Sequence, residues 1–184
     1  MNVQENVPFA VTIEPVQPNE LPELSDLAAR TFSDAFGGDM DPEDLAQTLA
    51  ENRSVSYFES SMKDSQVLVA KYNGKIVGYV QYGTVKIPEA NAASGDRELG
   101  RLYVETGLQG KGIGRQLMDA ALNDPEMAKA PNVFLQVWDE NKRAVAMYES
   151  YGFKECGVTR FELAGKPAQD LIMVRRQPGE QAKR

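Results

Sequence analysis

The chain has 184 residues, a formal charge of −7, one cysteine and no histidine. Its length suits one domain that buries roughly 70% of the surface its unfolded form exposes, and its acidity argues against nucleic-acid binding, which depends on Lys and Arg neutralising phosphates. Without histidine there is no serine triad, no cysteine–histidine pair and no histidine metal site. The lone Cys156 allows neither an internal disulfide nor a CxxC pair, so chemistry falls to carboxylates, tyrosine, lysine or backbone groups, with no metal. No apolar run approaches the ~20 residues of a membrane span, and the start, with Glu5 and Pro8, has no charged-then-apolar signal segment. A cytoplasmic protein is expected, in contact with neither membrane nor nucleic acid.

In chain order, residues 1–10 and 177–184 lack apolar periodicity and are expected to be flexible ends of a single domain over 1–184. The regular pattern begins at Thr12. Leu24, Leu27, Ala28, Thr31, Phe32 and Phe36 fall at helical spacing, and a second helix starts at Asp41, with Pro42 in its first position and Asp44 as a capping partner. Val67 to Tyr72 and Lys75 to Tyr82 are β-rich runs joined by Asn73-Gly74, a pair that tolerates positive φ and so predicts an antiparallel hairpin.

A loop over 86–96 leads to a strand from Glu98 to Glu105, then a glycine-rich turn and a helix with Ile113, Leu117, Ala120 and Ala121 on one stripe. Val133 to Trp138 reads as a buried strand. Asn141 can cap a helix whose Ala144, Met147, Tyr148 and Tyr151 share a face, and Gly152 can end it. Strands over Phe153 to Leu163 and Asp170 to Arg176 follow, around a Gly165-Lys166-Pro167 turn. The order β-α-α-β-β-β-α-β-α-β-β predicts a mixed α/β fold. Its centre is a mostly antiparallel sheet of about seven strands, flanked by about four helices, with one crossover from the fourth strand to the fifth.

Gln109-Gly110-Lys111-Gly112-Ile113-Gly114-Arg115 lies where the chain leaves a strand and enters a helix. Glycine lets backbone approach a phosphate closely. The first helical N–H groups have no internal partner, and the helix dipole adds about half a positive charge, so a pyrophosphate suits this place. Lys111 and Arg115 add charge at its edges. A flexible turn that binds nothing is the competing reading. A Walker loop beginning at Gly107 would need Lys at Ile113, and the dinucleotide spacing would need glycine at Arg115, so neither pattern is met.

Gln109, Gly112 and Gly114 match the Q-x-x-G-x-G signature of the GNAT N-acetyltransferases, after a strand that reads Glu98-Leu99-Gly100-Arg101-Leu102-Tyr103-Val104. Asn141, Ala144, Met147, Tyr148, Gly152 and Phe153 fit the pattern this family places on its next helix. With both blocks in register the chain resembles a GNAT acetyltransferase. The resemblance implies acetyl-CoA as cosubstrate, direct attack of an amine on the thioester, and no covalent enzyme intermediate. It implies that the pantetheine arm pairs with backbone at Leu102, Tyr103 and Val104 like an added strand. The amides of Gln109, Gly110, Lys111, Gly112, Ile113, Gly114 and Arg115 would hold the pyrophosphate.

An alkylamine with a pKa near ~10 must lose a proton before it attacks. The resemblance makes Glu98 the candidate base, six residues before Val104 and on the same strand face; a solvated strand end, with ordered water as the proton path, is the alternative. Tyr148 matches the family's proton donor to the leaving thiolate, although its place on an apolar helix stripe also fits a core residue. Asn141 serves equally as a helix cap and as a contact to the cofactor arm. Cys156 is expected to be a small buried residue, and Trp138 a core one.

From Glu20 to Glu51 there are nine acids against one base, Arg30. They either attract a cationic acceptor or merely solvate helix faces. Thr31-Phe32, Asp34, Phe36 and Asp41 to Leu45, taken with the glycine turn, loosely resemble bacterial spermidine/spermine N-acetyltransferases. The acceptor so implied is a polyamine or another small-molecule cationic amine, with a protein lysine or α-amine as competitor. A non-catalytic coenzyme A sensor would use the same phosphate cradle, and the chain is expected to act as a monomer or homodimer.

Overall fold

A computed structural model describes residues 9–163 and 165–177. The expected flexibility of 1–8 and 178–184 lies outside these residues. Seven strands form one sheet in the order β1-β2-β3-β4-β5-β7-β6, accompanied among the described residues by six α-helices. Two compact units divide the chain, one taking residues up to 81 with 101–121, the other taking 82–100 and the residues from 122 onward.

In the first unit, Thr12–Pro15 (β1) pairs antiparallel with Ser65–Tyr72 (β2). Lys71 bridges Glu14 and Glu20 beside this ladder. Leu21–Phe36 forms α1 and turns Leu24, Leu27 and Ala28 into the core, where they join Phe58, Val67, Val69 and Tyr79. Thr31 is buried on the same stripe and satisfies its hydroxyl by donating to the Leu27 carbonyl at 2.9 Å. Asp41 caps Pro42–Asn52 (α2) by accepting the Glu43 amide at 2.9 Å.

A further helix, Val55–Ser61 (α3), was not expected from the sequence. It is only seven residues long, and what starts it is Ser54, whose hydroxyl accepts the Tyr57 amide at 3.2 Å. Asn73 (φ 50°) and Gly74 (φ 75°) make the turn from β2 into Lys75–Gly83 (β3) with positive φ at both positions, as the hairpin signal requires.

The next strand, Arg97–Val104 (β4), lies beside β3 and leads through the glycine turn to Ile113–Asn123 (α4). Gly78 lets these elements close up. A Cβ there would stand 3.0 Å from the Tyr103 carbonyl oxygen and 3.2 Å from Leu117 Cδ1.

In the second unit, Pro125–Lys129 (α5) is another short helix absent from the expected order, capped by Asp124. Asn132–Trp138 (β5) then pairs antiparallel with Lys166–Arg176 (β7), from Asn132↔Arg176 to Trp138↔Asp170. Asn141 accepts the Ala144 amide at 3.2 Å and so caps Lys142–Ser150 (α6). The outer strand Lys154–Leu163 (β6) pairs with β7 down to Leu163↔Lys166, which corrects the expected Gly165-Lys166-Pro167 turn. Lys166 and Pro167 already belong to β7.

The β6–β7 register shifts between Glu155 and Gly157, and Cys156 at this bulge is exposed, which corrects the expectation of a buried thiol. Ile87, Phe134, Ile172 and Val174 form a core cluster of this unit, while Trp138 at the end of β5 is half-buried rather than a core residue. Among the described residues no helix is long and apolar enough to cross a membrane.

Candidate active site

The glycine turn is built on backbone conformations that side chains resist. Gly110 and Gly112 have φ of 81° and 82°, in the left-handed region, and nothing lies within 4 Å of where a Gly112 Cβ would stand. Gly114 belongs to α4. Ile113 and Leu117, both buried, seat that helix. Gln116 N–H reaches back to the Gly112 carbonyl at 3.1 Å, so the amides of Ile113, Gly114 and Arg115 form the first turn, whose N–H groups have no acceptor four residues back within the helix.

Gln109 closes a short 3-10 turn through its amide to Thr106 O, 3.4 Å, and donates its side-chain nitrogen to Val104 O, 3.3 Å. Of the residues expected to cradle phosphate, Gln109 therefore has its own N–H engaged. Lys111 is exposed, with Nζ 5.5 Å from the Phe9 ring, and Arg115 is exposed as well. Phe9 itself packs on Tyr72, ring centroids 4.4 Å apart, and its carbonyl accepts from Gln116 Nε2 at 2.9 Å.

The strand before this turn has only a short ladder on one side. Its ladder with β5 is parallel and consists of Arg97↔Val133 and Glu98↔Phe134, yet β4 continues to Val104 and β5 to Trp138. On the other side β4 neighbours β3, and just past the end of β4 Glu105 N donates to Val77 O at 2.8 Å. Leu102, Tyr103 and Val104 thus lie on a stretch of strand beyond its β5 ladder, one 3-10 turn before the glycines.

The remaining candidates sit on the second unit. Glu98 ends the β4–β5 ladder, and its carboxylate accepts the Lys86 amide at 2.5 Å. Tyr148 is buried on α6, its ring edge-on to Phe153 with centroids 6.0 Å apart. Asn141 is the exposed cap of that helix.

One constellation in the first unit was not anticipated. Arg53, which follows α2, and Arg101, on β4, both donate to the carbonyl of Asn52, at 3.2 and 2.6 Å. Two nitrogens on one oxygen are at most about 6 Å apart, and at an effective dielectric of 20 two such charges repel by roughly 3 kcal/mol. Arg53 is buried and stacks over Phe32 at 4.3 Å; Arg101 stacks over Tyr57 at 4.3 Å. Burial and the neighbouring Arg53 hold the Arg101 guanidinium below its usual range, and the other ionisable groups acting on it are Tyr79, Tyr57 and Tyr103. The detectable signal was an arginine at an inward position of a strand that otherwise alternates with Leu99 and Tyr103.

A family model, the acetyltransferase (GNAT) family, matches residues 21–153. The chain belongs to this family. An uncharacterized N-acetyltransferase of Mycobacterium tuberculosis is 33% identical over 155 residues, 83% of this chain and 95% of that protein. A spermine/spermidine N(1)-acetyltransferase of Bacillus subtilis is 28% identical over 91 residues, 49% of this chain and 60% of that protein. The fold is that of the crystallised PaiA N-acetyltransferase of Thermoplasma acidophilum, solved with coenzyme A, at a TM-score of 0.71 and 19% identity over 92% of this chain and all of that one. As a GNAT protein the chain is an acyltransferase of the N-acetyltransferase class, and the second motif block, from Asn141 to Phe153, closes the matched region.

Proposed function

We propose that this GNAT protein transfers the acetyl group of acetyl-CoA to a primary amine by direct attack. The observation that supports this most is the two-pair β4–β5 ladder, which leaves the later half of β4 running on toward a glycine turn with left-handed φ. Backbone groups of Leu102, Tyr103 and Val104 pair with the pantetheine arm, while the amides from Gly110 to Arg115 receive the pyrophosphate, with Lys111 and Arg115 at its edges.

The amine nitrogen, relieved of its proton by Glu98 or by water ordered on it, forms a bond to the thioester carbonyl carbon. The carbon–sulfur bond breaks, the thiolate takes a proton from the Tyr148 hydroxyl, and the proton that the acylated nitrogen then sheds to solvent is matched by one that solvent returns to Tyr148. Asn141 caps α6 and contacts the arm near the sulfur. The Glu98 carboxylate accepts the Lys86 amide, which fixes its direction. An exposed free thiol fits the reducing cytoplasm, and the protein works as a monomer or homodimer.

A polyamine is one acceptor for this reaction, favoured by the Bacillus relative and by the acids from Glu20 to Glu51. Five of those nine acids have structural partners. Glu20 binds Lys71, Glu23 accepts the Ile76 amide, Asp34 accepts from Thr106, Asp41 caps α2 and Glu51 accepts from Gln47. Release of coenzyme A thiol, followed with acetyl-CoA and a panel of spermidine, lysine peptides and amino acids, tests the reaction. Binding of acetyl-CoA without thiol release for any amine would instead make the protein a sensor.

A further inference from the structure

We infer that the amine acetylated here also carries an anionic oxyacid group, a carboxylate or a phosphate, and that Arg53, Arg101 and Tyr79 receive it. The inference rests on the amine-acetylation reading and narrows its acceptor to molecules that hold both charges, such as an amino acid, rather than to polyamines.

Two arginines that share one carbonyl cannot relieve their repulsion by losing a proton. Arg53 is 7% exposed, and among the described residues neither it nor Arg101 has a carboxylate partner; the charge of each is met only by aromatic rings and carbonyl oxygen. Buried charge is ordinarily paired. Two donors in the cluster also lack an acceptor. Arg53 Nε and the Tyr79 hydroxyl are both buried without a hydrogen-bond partner. Tyr79 is fully buried, its ring stacked on Tyr103 at 5.8 Å. Cations and donors converge with no anion among them, and a planar guanidinium matches the paired oxygens of a carboxylate or phosphate.

The location suits an acceptor. Arg101 and Tyr103 alternate along β4 with Leu102 and Val104, and Val104 faces Gly78 and Gly114 on the α4 side. Arg101 and Tyr103 therefore face the opposite side, where they meet Asn52, Tyr57 and Tyr79. An oxyacid held there lies across the strand stretch that the thioester arm is proposed to line.

Thiol release measured on matched amines tests this: alanine against ethylamine, lysine against cadaverine, and phosphoethanolamine against ethanolamine. The anionic member of a pair should show about 30-fold higher kcat/KM or more, and the pair that shows it names the oxyacid. In Arg101→Gln the ratio should collapse to about threefold or less. Tyr79→Phe separates ligand binding from packing. A structural role predicts an unchanged ratio with a higher melting temperature, since an unsatisfied buried hydroxyl is removed; the proposal predicts a ratio lowered about fivefold.

Melting curves with N-acetylalanine, N-ethylacetamide and phosphoethanolamine keep the two readings apart. Stabilisation by the anions in the wild type but not in Arg101→Gln, with no amine turned over, would remove acetyl transfer and keep the anion site. Equal turnover of both members of every pair, or no anion-selective stabilisation, would overturn the anion site.

Discussion

Gln109 donates its side-chain amide to the Val104 carbonyl across 3.3 Å, which ties the entrance of the glycine turn to the last residue of β4. The bond is exposed and contributes little to global stability, but it links the two segments proposed to hold the arm and the diphosphate. Gln109→Ala should therefore weaken coenzyme A binding by roughly fivefold, the equivalent of about 1 kcal/mol. Calorimetric titration should show that loss with a melting temperature changed by no more than about 1 °C.

Gly112 and Gly78 separate conformational from steric need. Gly112→Ala has space for its methyl group but must hold φ at 82°, at a cost of about 1–2 kcal/mol. Its main effect should be weaker coenzyme A binding, because relaxing φ turns the phosphate-facing amides. Gly78→Ala has ordinary φ but meets the Tyr103 carbonyl oxygen at 3.0 Å. Backbone cannot yield as a side-chain end can, so a cost of about 1–3 kcal/mol and a fall of about 3–10 °C in melting temperature are expected. Thermal unfolding and a coenzyme A titration of each variant, taken together, read the difference.

The parts of the fold with strong local chemistry were legible beforehand. Asn73-Gly74, the Asp41 and Asn141 caps, and the passage from strand through glycines to α4 each state their conformation in two or three residues. Short helices were not legible, because seven residues at Val55–Ser61 and five at Pro125–Lys129 give too few turns for a periodic stripe. Cys156 was misplaced because a bulge depends on how β6 meets β7 rather than on its own neighbours. The Arg53 and Arg101 pair escaped for a related reason. The residues are far apart in the chain, and only the fold brings them to one carbonyl.

Tyr148→Phe keeps the ring that packs edge-on against Phe153 and removes only the hydroxyl. If its hydroxyl protonates the leaving thiolate, kcat falls by about 100-fold while the dissociation constant of acetyl-CoA stays within about twofold. Steady-state kinetics combined with a binding titration checks both quantities on one preparation.

Asp170, on β7 opposite Trp138, has its carboxyl held above the usual range, chiefly by burial and further by Asp139. A carboxyl whose folded pKa exceeds its unfolded value binds its proton more tightly in the native state. The charged form is then a penalty that is complete above the folded pKa and absent below the unfolded one. Asp170→Asn should accordingly raise the melting temperature near about pH 7. The gain should shrink toward zero as the pH falls through about 4, where the native carboxyl is already neutral.

Amide hydrogen exchange with and without acetyl-CoA bears most directly on the use of β4 and the glycine turn as the cosubstrate site. Protection should appear at the amides from Gly110 to Arg115 and along Leu102 to Val104, with little change at the β1–β2 ladder. Saturating acetyl-CoA that leaves both segments exchanging as they do in the free protein would contradict the account.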